Sequence, residues 1–124
     1  MSHAQRLTVA VTTAADGSAT AYTEGAVTGL LSQIRYVKTD FADGVDFTIT
    51  AEATGETLWT ESDVNASATR APRQAAHSTA GVASLYAAAG TEVQAPIALA
   101  NDRIKIVIAA GGNAKTGTFH FVFN

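Results

Sequence analysis

Near the end of this 124-residue sequence, two runs place large apolar residues on every second position. The first holds Ile104, Ile106 and Ile108, and the second holds Phe119, Phe121 and Phe123. Period two is the signature of a half-buried strand and is incompatible with an amphipathic helix. Residues 109–115 lie between the runs, and their Gly111-Gly112-Asn113 core can adopt the positive φ values of a hairpin loop. The pattern predicts an antiparallel hairpin with all six apolar residues on one face. The polar partners Arg103, Lys105, Thr118 and His120 are scattered singly, so the feature specifies a fold class and no chemistry.

The same alternation recurs upstream. Leu7, Val9 and Val11 alternate with Thr8, Ala10 and Thr12, and Asp16-Gly17 then turns the chain. A short strand is expected over 19–24 and a longer one over 27–37, with Ile34 and Tyr36 facing away from Arg35 and Val37. Val45, Phe47 and Ile49 lead through the 53–56 turn into residues 57–61, which predicts a second hairpin. From 62 to 94 the pattern weakens. The stretch is small and polar, Pro72 limits it to an edge strand or a loop, and 82–89 fits either a short helix or a strand. Seven or eight short strands at this spacing predict one domain over 1–124. It would be all-β, an antiparallel β-sandwich or jelly roll with one long loop or arm at 62–94. The expected core is Leu7, Val9, Ile34, Tyr36, Phe47, Ile49, Trp59, Leu99, Ile104, Ile106, Ile108, Phe119 and Phe121.

Composition narrows the function classes. The chain has no cysteine, which excludes disulfides and thiolate metal sites. The first six residues carry no apolar signal core, and no run is long enough to cross a bilayer, so no membrane association is expected. Net charge is −3, and charged residues make up 15% of the chain against about a quarter in typical soluble domains. A surface so rich in Ala, Thr, Gly and Ser permits close protein contact. The cations are dispersed, whereas a phosphate footprint needs them clustered, so nucleic acid is not an expected partner.

Candidate sites are few. Asp40, Asp43 and Asp46 surround Gly44, but their spacing lacks the alternate-residue ligands of a calcium loop and reads as a turn. His3, His77 and His120 have no second histidine at metal-ligand spacing. No nucleophile elbow or triad spacing occurs, Gly111-Gly112-Asn113 is no phosphate loop, and Glu52, Glu56 and Glu61 read as solvated charges around one hairpin. Trp59 reads as core packing, the alternative being a platform with Tyr36 or Tyr86 that stacks on a sugar ring. The expectation is no enzyme, no cofactor and no metal.

Four segments carry a family resemblance. They are Ile-Arg-Tyr-Val-Lys-Thr-Asp-Phe-Ala-Asp-Gly-Val-Asp-Phe-Thr-Ile-Thr at 34–50, Gly-Glu-Thr-Leu-Trp-Thr-Glu at 55–61, Ala-Thr-Arg-Ala-Pro-Arg-Gln at 68–74, and Gly-Thr-Phe-His-Phe-Val-Phe at 117–123. Across residues 30–123 the chain resembles small proteins encoded in tailed bacteriophages and prophages near their head-morphogenesis genes. The resemblance implies a virion component with a β-sandwich or jelly-roll fold, such as a capsid decoration (cement) protein. It further implies a homo-oligomer, dimer or trimer, made in the host cytoplasm and bound to the major capsid protein. A tail, baseplate or fibre-associated sandwich is the alternative, and a carbohydrate-binding module the second. On this reading residues 62–94 are an arm laid across neighbouring subunits, with Arg70, Pro72, Arg73 and Tyr86 as the expected partner contacts.

Overall fold

A computed structural model describes residues 4–124 and contains ten strands and no helix among them. These are β1 (Gln5–Thr12), β2 (Ala19–Tyr22), β3 (Val27–Lys38), β4 (Asp46–Ala51), β5 (Thr57–Glu61), β6 (Ala68–Arg70), β7 (Arg73–Ala75), β8 (Gln94–Asp102), β9 (Ile104–Ala109) and β10 (Thr116–Phe123). One sheet runs β1-β10-β3-β8-β7, with β6 also on β3, and the other runs β2-β9-β4-β5. All pairings are antiparallel. Since β6 and β7 have three residues each, too few for alternation to reveal, the strands number ten and not the expected seven or eight.

The pairings are nested. β1 meets β10, β2 meets β9, β3 meets β8, and β4 meets β5, so the chain is one long hairpin with its tip at residues 52–56. That hairpin is rolled until β10 also meets β3 and β9 also meets β4. Eight strands in this order, in two packed sheets, form a jelly roll, with β6 and β7 inserted between β5 and β8.

The rolled hairpin overturns one expectation. β9 and β10 are not hairpin partners: they lie in opposite sheets, and residues 109–115 cross from one layer to the other. The crossing is tied down by Gly111 N–H donating to Gly17 O (2.9 Å), Ala42 N–H to Gly111 O (3.0 Å) and Thr13 N–H to Lys115 O (2.8 Å). Ala110, Gly112 and Ala114 take positive φ there, at 57°, 88° and 53°. The six apolar residues of the two runs are all buried, but they face each other across the sandwich. Alternation specifies which side of a strand is buried and is silent on which strand lies beside it.

Every expected core residue is buried except Leu7, which is half-buried against the core. At one end the interior is aromatic. Phe47 packs edge-on against Tyr36 (4.7 Å between ring centres), Phe119 (5.0 Å) and Trp59 (5.3 Å). The Tyr36 hydroxyl is buried with no hydrogen-bond partner, and burial pushes its pKa up to about 12. Phe41, in the β3–β4 connection, lies on Gly117 of β10, where an added Cβ would come within 2.5 Å of the ring. On β5 a register shift opposite Ile49/Thr50 makes Leu58 an extra residue, so consecutive Leu58 and Trp59 both point inward.

The 62–94 segment divides in two. Residues 62–72 are bound to the body: Val64 is buried with its N–H on Val45 O (2.9 Å), Asn65 Oδ1 accepts from Gly44 N–H (2.6 Å), and Ser67 Oγ accepts from Lys38 N–H (2.9 Å). Beyond them residues 73–95 form a flap. β7 pairs with β8, His77 bridges to Ala83, and Leu85 bridges to Glu92. The stretch 82–89 is therefore extended and turned, with no helix.

Candidate partner-binding surface

The β5–β6 side of the sandwich is closed by a clasp. Arg70, on β6 of one sheet, donates from Nε and Nη2 to both carboxylate oxygens of Glu61, on β5 of the other, each at 2.8 Å. Trp59 Nε1 donates to the same carboxylate at 3.0 Å, and the Arg70 guanidinium stands 5.5 Å from the centre of the Trp59 ring. The bonds from Arg70, helped by that from Trp59, hold the Glu61 carboxyl below its ordinary pKa, against the smaller opposing effect of burial. Arg70 Nη1 donates to Thr69 O (3.0 Å), so each guanidinium nitrogen has a partner within the chain.

This placement gives the four expected contact residues different surroundings. The sequence cannot show that Glu61 and Arg70, nine residues apart in different sheets, form a bidentate pair. With it formed, Arg70 ties the two sheets together through Glu61. Pro72 is buried between β6 and β7 and presents no contact surface. Arg73 is exposed and anchors the root of the flap, donating from Nη1 to Ser32 O (3.0 Å) and Pro72 O (2.8 Å). Tyr86 is 76% exposed, the most exposed large apolar residue of the described chain. The structure thus separates the four residues: two serve the body, one the root of the flap and one its outer end.

The flap holds its own backbone bonds. Ala76 N–H donates to Val93 O (2.8 Å), Ser84 N–H to Ala76 O (2.7 Å), Val93 N–H to Ser84 O (2.9 Å) and Tyr86 N–H to Thr91 O (3.0 Å). Gly81 (φ 78°) and Ala89 (φ 56°) make its turns. Val82, at 65% exposure, and Leu85 accompany Tyr86 on it. Sequence reasoning missed Val82 and Leu85, because apolar residues amid Ala and Ser look like weak core positions.

The remaining candidates are engaged one by one. Asp40 accepts from Thr116 N–H (2.6 Å), Asp43 pairs with Lys38 (2.9 Å) and Asp46 accepts from Asp63 N–H (3.1 Å). Glu52 pairs with Arg103, whose hydrogen bonds hold its carboxyl below the ordinary value, and Arg103 lies 4.3 Å from the centre of the Tyr22 ring. His120 is on the outer face of β10 with Nδ1 3.1 Å from Thr8 Oγ1, His77 is in the flap, and His3 lies outside the described residues. Among the described residues no three His, Asp or Glu side chains converge on a point that could hold a metal. Trp59 is 6% exposed and Tyr36 fully buried, so neither ring is available to stack on a sugar.

No protein-family model matches the chain, and no curated protein matches it. Among solved structures it is similar to a structure of the infectious bursal disease virus Gt strain. The TM-score is 0.37 and the identity 11%, over 98% of this chain and 32% of that one. For the Gx strain of the same virus the TM-score is 0.21 and the identity 15%, over 96% and 32%. The chain spans about a third of the length of either viral chain, and likeness at these TM-scores carries no functional argument.

Proposed function

We propose that this chain is a structural protein of a tailed-bacteriophage virion, a decoration (cement) protein that binds the outside of the assembled head as a small oligomer. On this reading it contacts the major capsid protein, performs no catalysis, and binds neither nucleic acid nor membrane. It is made in the host cytoplasm and carried in the particle. The segment resemblance over residues 30–123 motivates the reading. The observation that carries it is the flap: three of the six exposed large apolar residues, Val82, Leu85 and Tyr86, fall within five residues of one another on a segment outside the packed body. A rigid sandwich with half of its exposed large apolar residues gathered on one projection suits attachment to a lattice. Binding only to the assembled shell would stabilise it by mass action at every site.

Cryo-microscopy of intact particles tests the assignment, together with the copy ratio of this chain to the major capsid protein. The expected result is density on the outer head surface, with the flap against capsid protein. Density at the tail tip, or none on the head, would defeat the decoration reading and favour the tail alternative.

A further inference from the structure

The outer edges of the two sheets are not alike. β6, a side branch on β3, has three residues, and the part of β8 that β7 leaves uncovered, Ile97–Asp102, follows Pro96 and pairs with β3 across a register shift. β7 has three residues, β2 has four, and β5 is bulged and held under the Arg70–Glu61 clasp. β1 differs from all of them: eight residues pair one-to-one with β10, without a register shift or a proline. In an antiparallel ladder the backbone groups of alternate residues face opposite sides. Thr13 N–H donates to Lys115 O, continuing the register in which Val11 meets Gly117 and Val9 meets Phe119. The N–H and C=O groups of Leu7, Val9 and Val11 therefore face β10. Those of Arg6, Thr8, Ala10 and Thr12 face away from the sheet, and no other described element pairs with β1. An edge this long and flat is a ready template for another strand, and natural proteins usually interrupt it with Lys, Pro or a bulge.

We infer that β1 is a dimerisation edge, and that its occupant is β1 of a second copy of this chain, antiparallel about a twofold axis through Val9. The row is self-complementary in that arrangement. Arg6 meets Thr12, Thr8 meets Ala10, and the reciprocal pairs complete four hydrogen-bonded couples and eight interchain backbone bonds. The single charge of the row, Arg6, falls at opposite ends of the interface, so the two guanidinium groups stay far apart. On the inner side Val9 faces Val9 of the other copy, and half-buried Leu7 gains cover from Val11. The two β1-β10-β3-β8 sheets become one continuous sheet. This inference does not depend on the capsid reading.

Sedimentation equilibrium of the full chain, from low to high micromolar concentration, tests it. The expected species is a dimer of twice the 12.7 kDa chain mass. Ala10→Pro removes an outward N–H and leaves the bonds to β10 in place, and the twofold axis counts the change twice. It should weaken association about tenfold or more. Ala10→Lys keeps the backbone intact but brings new charges diagonally together with Arg6 of the other copy, and should also yield monomer. Gln33→Lys, exposed on central strand β3, should stay dimeric. Circular dichroism verifies that each variant is folded. A wild-type monomer at high micromolar concentration overturns the inference, as does a dimer that survives Ala10→Lys in a folded protein.

Discussion

The jelly-roll body and the flap are both extended and antiparallel, yet they hold together by different means. In the body most inward positions carry a large side chain with an opposing sheet to face, and the strands run to as many as twelve residues. In the flap, Val82, Leu85 and Tyr86 have no second layer, and pairing shrinks to a three-residue strand and two isolated bridges. A β-ladder without a buried face is marginal in water, so continuous strands end where the opposing sheet ends. The contrast makes the body the source of stability and the flap a surface whose side chains are free for another molecule.

Substitutions of decreasing effect can break this contrast. Phe121→Ala and Ile106→Ala, fully buried in opposite sheets, should each cost roughly 2–5 kcal/mol in chemical denaturation. Severe loss at both sites is the signature of inward-facing positions on both strands. Gly117→Ala should cost about 1–3 kcal/mol, since its methyl group must displace the Phe41 ring. Tyr36→Phe should go the other way and raise stability by up to about 1 kcal/mol, because the lost hydroxyl has no partner. A large loss there would show that the hydroxyl is satisfied in solution.

The clasp predicts a smaller effect with a pH signature. Arg70→Ala should cost about 1 kcal/mol, a modest figure because both partners are a third or more exposed. The Glu61 carboxyl is depressed in the folded state, so its contribution is present above the ordinary glutamate range. It is lost as pH falls through the lowered folded value. Denaturation from neutral pH down to about pH 3 should therefore show wild type and Arg70→Ala converging in acid. At the far end of the scale, Tyr86→Ala and His120→Ala should each change stability by under about 0.5 kcal/mol, as ordinary surface changes do. On the proposed function, Tyr86→Ala should still weaken association with particles, read as a lower copy ratio on purified heads. Full occupancy with Tyr86→Ala would remove the flap from the contact.

Much of the body was legible from side-chain alternation alone, because a residue's inward or outward direction is a local property of an extended chain. The β4–β5 hairpin was legible as well, its turn being short enough to leave one partner available. The surroundings of the expected contact residues were far less so. Arg70 reads as an available cation until Glu61 is found beside it, and Pro72 reads as an edge-strand or loop residue open to a partner until it is found buried. Phe41 was missed because it stands in a turn with no alternation around it, and its burial depends on the bare Gly117 backbone of a distant strand.

The sequence by itself determined that the two terminal runs enter the core, since period two separates Ile104, Ile106, Ile108, Phe119, Phe121 and Phe123 from their polar neighbours whatever strand they pair with. Only the tertiary structure decided that these six residues face one another from two sheets and do not share one face of a hairpin. The physical reason is that both arrangements bury the same side chains. What separates them lies outside the two runs: β1 and β3 flank β10, β2 and β4 flank β9, and those pairings join residues as far apart in the chain as Gln5 and Phe123.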